Sequence, residues 1–285
     1  VSWPTDETGL FICEHISVNT EITDSIVASS KRFAPSWLQR HPLEISAFFR
    51  HSLVLTYALP PRVLEPLLPP GLILDTYNGC GFVAIAMVQT EWLRPSYCPK
   101  LLGQKFFLSG YRIFTRYKTK AGRTLRGLRI LRSDTDRRVM VRVGNCLTHY
   151  NYHLADVRVQ DSNQRLEIQV RTPNREADLH VIADLTTRPA TPPSTSPFRD
   201  LREARLFAGP LPFTFDYEAS THSIIIIEGV RREWKPVPVN VEVLKCTFFH
   251  QPAFQGAEPI LANTFDVENI PYRWKRGVLE PLTEP

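Results

Sequence analysis

From residue 51 onward the chain is a succession of short β-rich runs separated by turn residues, and that rhythm limits the fold more than any other feature. "HSLVLTYAL" (51–59) stops at Pro60-Pro61. "GFVAIAMVQTEW" (81–92), "KFFLSGYRIFTRY" (105–117) and "TLRGLRILR" (124–132) follow, the last two joined by the hairpin signal "KTKAGR". "VMVRVG", "LADVRVQ", "RLEIQVR" and "DLHVIADL" continue the strand pattern, and "FTFDYE", "SIIIIEGV" and "VNVEVLKCTFF" extend it. Helical segments are few. Residues 35–49 have loose helical spacing broken by Pro42, "PRVLEPLLPPGL" reads as a short helix with Pro61 in its first turn, and another falls at "FRDLREARLF". With 24 prolines against 13 glycines, long helices are disfavoured. The expectation is a mainly β (α+β) chain, a barrel or sandwich with small helices outside. A barrel also hides the edges that "SIIIIEGV" would otherwise expose.

Residues 1–33 are polar and rich in Ser and Thr. The predicted organisation is an N-terminal arm and short helix over 1–49, wrapped on a single barrel domain over 50–285. "TTRPATPPSTSP" (186–197) reads as a surface excursion, since strands resume after it. The opening has neither a basic segment nor a long apolar core, so it does not read as a signal peptide; the missing initiator Met leaves a removed leader open. No run approaches the roughly 20 apolar residues of a membrane span. The net charge of +5 comes from arginines scattered among acids, without a nucleic-acid-binding signature, so neither nucleic acid nor membrane is an expected partner. Cys13, Cys80, Cys98, Cys146 and Cys246 are odd in number and widely spaced. They predict reduced thiols, no disulfide, no zinc framework and a cytoplasmic address. No cofactor fingerprint is present, and a homo-oligomer is left open.

The segment "LPPRVLEPLLPPGLILDTYNGCGFVAIAMVQTEWLRP" resembles the opening of the YqjF-like uncharacterised family, within the acetoacetate decarboxylase-like superfamily. Pro60, Leu68-Pro69, Leu74-Asp75 and Gly79 follow that family's order, and Arg112 in "GYRIFTRYKTKAG" stands at its strand arginine. The likeness continues through "NYHLADV", "RLFAGPLPFTFDY" and "WKPVPVNVEV", covering roughly residues 50–250. It implies an acetoacetate decarboxylase-like cone-shaped β-barrel holding a small-ligand pocket. It also implies a comparison with the superfamily's Gly-x-Pro-Lys-Lys-Leu-Ala stretch, whose lysine forms a Schiff base with a keto acid. Aligned on Leu154-Ala155, Tyr152 stands at that lysine and His153 at its neighbour, so the Schiff-base mechanism is not supported.

In "THYNYHLADV" (148–157), an extended backbone puts His149, Asn151 and His153 on one face and Tyr150 and Tyr152 on the other. A polar strand at a barrel mouth, a pocket wall supplying acid and base groups, and a metal site are all open; the spacing lacks a third ligand, and no metal is expected. Arg112 shares its face with Phe106, Leu108, Gly110 and Phe114, so its charge needs an anionic partner: a substrate carboxylate or an internal acid such as Glu91. Lys245 reads either as a displaced amine nucleophile or as a side chain reaching solvent.

Two functions compete. One is an enzyme acting on a small carbonyl or carboxylate compound by enolisation-type lyase, dehydratase or isomerase chemistry. There Tyr152, His153 and Glu91 are catalytic, and Arg112, Tyr111, His149 and Asn151 bind substrate. The other is a non-catalytic small-molecule-binding barrel; a solid interior would favour a structural role instead.

Overall fold

The computed structural model describes residues 35–162, 164–209, 211–231 and 234–282. The arm expected over residues 1–33, with Cys13, lies outside the described residues. In chain order the strands and helices are β1 (Ile45–Leu59), α1 (Pro61–Leu64), β2 (Leu72–Leu74), β3 (Gly81–Pro95), β4 (Gln104–Lys118), β5 (Thr124–Thr135), α2 (Arg138–Leu147), β6 (Tyr152–Leu154), β7 (Asp156–Asp161), β8 (Arg165–Arg171), β9 (Leu179–Asp184), α3 (Leu201–Ala208), β10 (Phe213–Glu218), β11 (Ser223–Arg231), β12 (Val237–Pro238), β13 (Asn240–Cys246), β14 (Ile260–Asp266), β15 (Glu268–Trp274) and β16 (Val278–Pro281).

The main sheet closes on itself. β1 pairs β3, β3 pairs β4, β4 pairs β5, β5 pairs β10, β10 pairs β11, β11 pairs β15, and β15 returns to β1. Only the β5–β10 link in this cycle is parallel. β14 continues along the same edge of β1 as β15, with Ser52 and Val267 exchanging two backbone hydrogen bonds at the junction. A second, four-stranded antiparallel sheet runs β13-β9-β8-β7.

Strand alternation sorts the side chains. Leu53, Leu55, Val83, Ile85, Tyr111 and Ile113 point outward from the cycle into a core shared with Leu166, Ile168 and Val181 of the second sheet. Each fully buried aliphatic side chain there contributes roughly 1.5–3 kcal/mol. The even-numbered Val54, Ala84, Ala86, Val88 and Phe114 face the other way, toward Ala204 and Ala208 of α3. Asp200 caps α3 by accepting a hydrogen bond from the Glu203 amide at 2.7 Å.

Several local expectations change. "VMVRVG" is not a strand but the body of α2, where Met140 and Gly144, four apart, are buried. Packing of that face overrides the weak β preference of its valines. Residues 35–49 hold only a 3-10 turn (Ser36–Gln39); β1 already begins at Ile45, so a boundary at 49/50 would cut a strand. In "THYNYHLADV" the strand β6 is confined to Tyr152–Leu154, and Asn151 has a left-handed φ of 51°. Cys80, Cys98, Cys146 and Cys246 are free thiols. Among the described residues no helix is long and apolar enough to cross a membrane.

Candidate functional site

The interior of the strand cycle is not solid. A cavity of about 110 Å³ is lined from every strand of the cycle, from Phe49 of β1 to Trp274 of β15. Its wall is largely apolar, with Arg112, Tyr150 and Tyr152 gathered on one side. Arg112 is half-buried, and its Nε is fully buried without a hydrogen-bond partner. Burial pulls the guanidinium below its ordinary pKa, and the groups opposing that pull are Tyr272, Tyr150 and Tyr152 rather than a carboxylate. An arginine stays protonated near neutrality even so. The Tyr150 hydroxyl is likewise buried without a partner. Burial raises both phenols, Tyr152 to about 12 against the pull of Arg112, and Tyr150 well above the usual value. Both are therefore neutral donors.

Local sequence explains these positions. At Gly110 an added Cβ would sit 2.9 Å from Arg112 Nε and Nη2, so the missing side chain makes room for the guanidinium. At Gly144 of α2 a Cβ would overlap the Tyr152 ring, and at Gly229 of β11 it would overlap the Tyr272 hydroxyl. Asn145 holds the Tyr152 backbone from both sides: its Oδ1 accepts from Tyr152 N at 2.7 Å, and its Nδ2 donates to Tyr152 O at 2.9 Å.

The residue next to Tyr152 faces a different space. His153, Asn151 and Arg132 line an open cleft of about 620 Å³ on the far side of β6. Asn151 Nδ2 donates to Leu131 O at 3.1 Å, which leaves its Oδ1 to accept from His153 Nε2 at 3.0 Å. Burial, then the charge of Arg132, push His153 down to about 4, so it is neutral near pH 7. Arg132 donates to Asp134 and to Glu176, both at 2.9 Å. Burial raises the Asp134 carboxyl to about 6 despite that arginine.

The structure thus joins Arg112 to Tyr152 and separates the rest of the expected set. Tyr111 does not line this cavity: one step along β4 from Arg112, it faces the opposite core, stacks on Phe248 at 4.1 Å and donates its hydroxyl to Ala177 O at 3.0 Å. Glu91 leaves the cavity side just past Thr90; it lies 3.5 Å from Lys105 and lines a third cleft with His51 and Asp161. It is neither the partner of Arg112 nor a companion of Tyr152. His153 and Asn151 belong to the Arg132 cleft, and His149 lies toward Asp216, whose carboxyl senses its charge. Lys245 is half-exposed and bonded to Asp178 at 2.6 Å, because an irregularity between Val243 and Lys245 turns it from the apolar face.

Tyr150, Tyr272, Trp274, Arg231 and Trp234 also line the cavity but were not picked out as site residues from sequence. The alternating aromatics of "ENIPYRW" were the available signal, masked by Pro271 inside the run. Among the described residues, the three-ligand grouping close enough for a metal is His51, Asp266 and Glu268, outside this cavity; His51 Nδ1 already bonds Asp266 Oδ2 at 2.9 Å.

A closed strand cycle around a small cavity, backed by a second sheet, is the acetoacetate decarboxylase-like fold. The acetoacetate decarboxylase from Legionella pneumophila subsp. pneumophila str. Philadelphia 1 superposes with a TM-score of 0.54 at 13% identity, over 94% of this chain and 98% of its own. The enduracididine biosynthesis enzyme MppR, complexed with pyruvate, gives 0.52 at 13% identity over 88% and 93%. An acetoacetate decarboxylase-like enzyme from Sphingomonas wittichii RW1 gives 0.52 at 12% identity over 90% and 100%. Within that fold, the chain belongs to the DUF2071 family of uncharacterized conserved proteins, whose family model matches residues 46–265. The uncharacterized protein YqjF of Bacillus subtilis (strain 168) is 27% identical over 136 residues, 47% of this chain. That match spans about half the relative's length, 52%.

Proposed function

We propose that this protein binds a small carboxylate compound in the Arg112 cavity and promotes enolisation of a carbonyl group next to that carboxylate, without a Schiff-base lysine. The observation carrying this reading is Arg112 itself: a buried guanidinium in an aromatic cavity, its Nε unpartnered. A buried charge left in that state is costly, and a carboxylate supplies paired acceptors for it. The Tyr152 hydroxyl, neutral near pH 7, donates to the carbonyl oxygen. As the adjacent C–H bond opens, its electron pair forms the C=C bond of the enolate and the carbonyl π pair moves onto that oxygen, where the tyrosine and the guanidinium stabilise the growing negative charge. The lining among the described residues holds no carboxylate, histidine or lysine, so the released proton passes to water. The superposed enzymes, one of them complexed with pyruvate, support a carbonyl acid as ligand.

The same lining favours a second reading, a non-catalytic carboxylate-binding protein, since no group in it titrates near neutrality. One experiment separates the two: proton NMR of a 2-oxo acid in D2O with the protein. Exchange of the C3 protons above the buffer rate, abolished by Arg112→Met and reduced by Tyr152→Phe, supports enolisation. Carboxylate binding without exchange supports the binding protein, and no binding removes both.

A further inference from the structure

We infer that the Arg112 cavity selects monocarboxylates of about three to five carbons with an apolar tail, and that Ala84 and Ala86 set the upper limit. This rests on the reading that Arg112 takes the carboxylate. In the β3–β4 ladder Ala84 lies opposite Arg112, and Ala86 lies opposite Gly110, over which the guanidinium folds. Directly opposed residues carry Cβ atoms about 4.5–5.5 Å apart. With the guanidinium over Gly110, Ala84 and Ala86 therefore leave beside it the space that larger side chains would fill. The next residues on that face, Val88 of β3 and Phe106 and Leu108 of β4, close it with apolar groups.

The volume fixes the scale. In a different protein, a dry engineered cavity of about 150 Å³ takes benzene, roughly 25 Å³ for each of six carbons. On that scale 110 Å³ seats four or five non-hydrogen atoms, a few more where the wall yields. A carboxylate uses three of them, so the tail is short. Away from Arg112, Arg231 and the tyrosines, the end of the wall formed by Val88, Phe106, Leu108 and Phe114 carries few polar atoms, so a tail bearing several hydroxyls there loses water without recovering its hydrogen bonds.

The test is calorimetric titration of the protein with acetate, propionate, butyrate, pentanoate, hexanoate, octanoate and phenylacetate, with glycerate as the polar match for pentanoate. Affinity is expected to rise about fourfold per methylene from acetate to butyrate. It should then fall at least tenfold by octanoate and phenylacetate, with glycerate at least tenfold weaker than pentanoate. Ala86→Leu should weaken butyrate at least tenfold while leaving acetate within about twofold, and Val88→Ala should move the optimum to a longer acid. The second variant keeps the test decisive if the first does not fold. Octanoate or phenylacetate binding best, or affinity indifferent to chain length, overturns the inference and leaves the Arg112 reading standing. Carboxylate binding that Arg112→Met does not weaken overturns the reading on which it rests.

Discussion

Replacing Arg112 with methionine should make the empty protein more stable. Methionine keeps an unbranched stem that fills irregular space, and it removes the guanidinium. The wild type carries a buried Nε donor without a partner and a charge that burial disfavours. An unsatisfied buried donor costs about 1–3 kcal/mol. The expected gain is of that size, a rise in melting temperature of about 2–5 °C for a chain of this length. Urea and thermal melts measure it, with and without butyrate. Saturating carboxylate should stabilise the wild type, by about 2.7 kcal/mol at a hundredfold excess over Kd. It should leave the variant unchanged. A variant less stable than the wild type by more than about 1 kcal/mol, together with a wild type indifferent to carboxylates, would show that Arg112 is a structural residue and refute the site.

Two further outcomes follow from the geometry. Gly144→Ala should destabilise the protein by about 1–3 kcal/mol through overlap with the Tyr152 ring, although alanine at a helix interior ordinarily gains about 1 kcal/mol over glycine; a stabilised variant in a urea melt would show that Gly144 does not seat Tyr152. His41 and His153 are both pushed down to about 4 by burial, from an ordinary 6.5. What they contribute is present above pH 6.5 and lost as pH falls toward 4, whereas Asp134, raised to about 6, contributes fully below its ordinary value and loses that as pH rises through 6. His153→Gln removes one of these losses, so on acidification from pH 6.5 to 4 its urea midpoint should rise relative to that of the wild type; parallel profiles refute the assignment.

The strand pattern was legible because alternation is written locally. It separated Tyr150 and Tyr152 from Asn151 and His153 and put Arg112 on a face with Phe106 and Phe114. What alternation does not carry is which spaces the two faces meet. Tyr152 and His153 were grouped by alignment with the superfamily's lysine stretch and Glu91 by its place at the end of a strand, yet β6 is a partition with a different cavity on each side. The valines of α2 misled because their helix is set by burial of Met140 and Gly144, a tertiary effect. Tyr272 and Trp274 reach the site through the pairing of β15 with β11 and with β1, the latter more than 200 residues away in the chain, and no local signal reports it.

That same pairing has a consequence for how the protein is made. Ile45 lies opposite Trp274 in the ladder, so the cycle cannot close until nearly all of the described chain has left the ribosome. β1, β3, β4 and β5 are consecutive antiparallel neighbours and can zip together early, but the wall they form stays open to solvent. Closure over such a sequence separation meets a loop-entropy barrier, the kind that slows β-rich domains. Until then Arg112 keeps its water. Tyr272 and Trp274 of β15 complete the wall around Arg112, so the guanidinium reaches its buried setting only once β15 has paired.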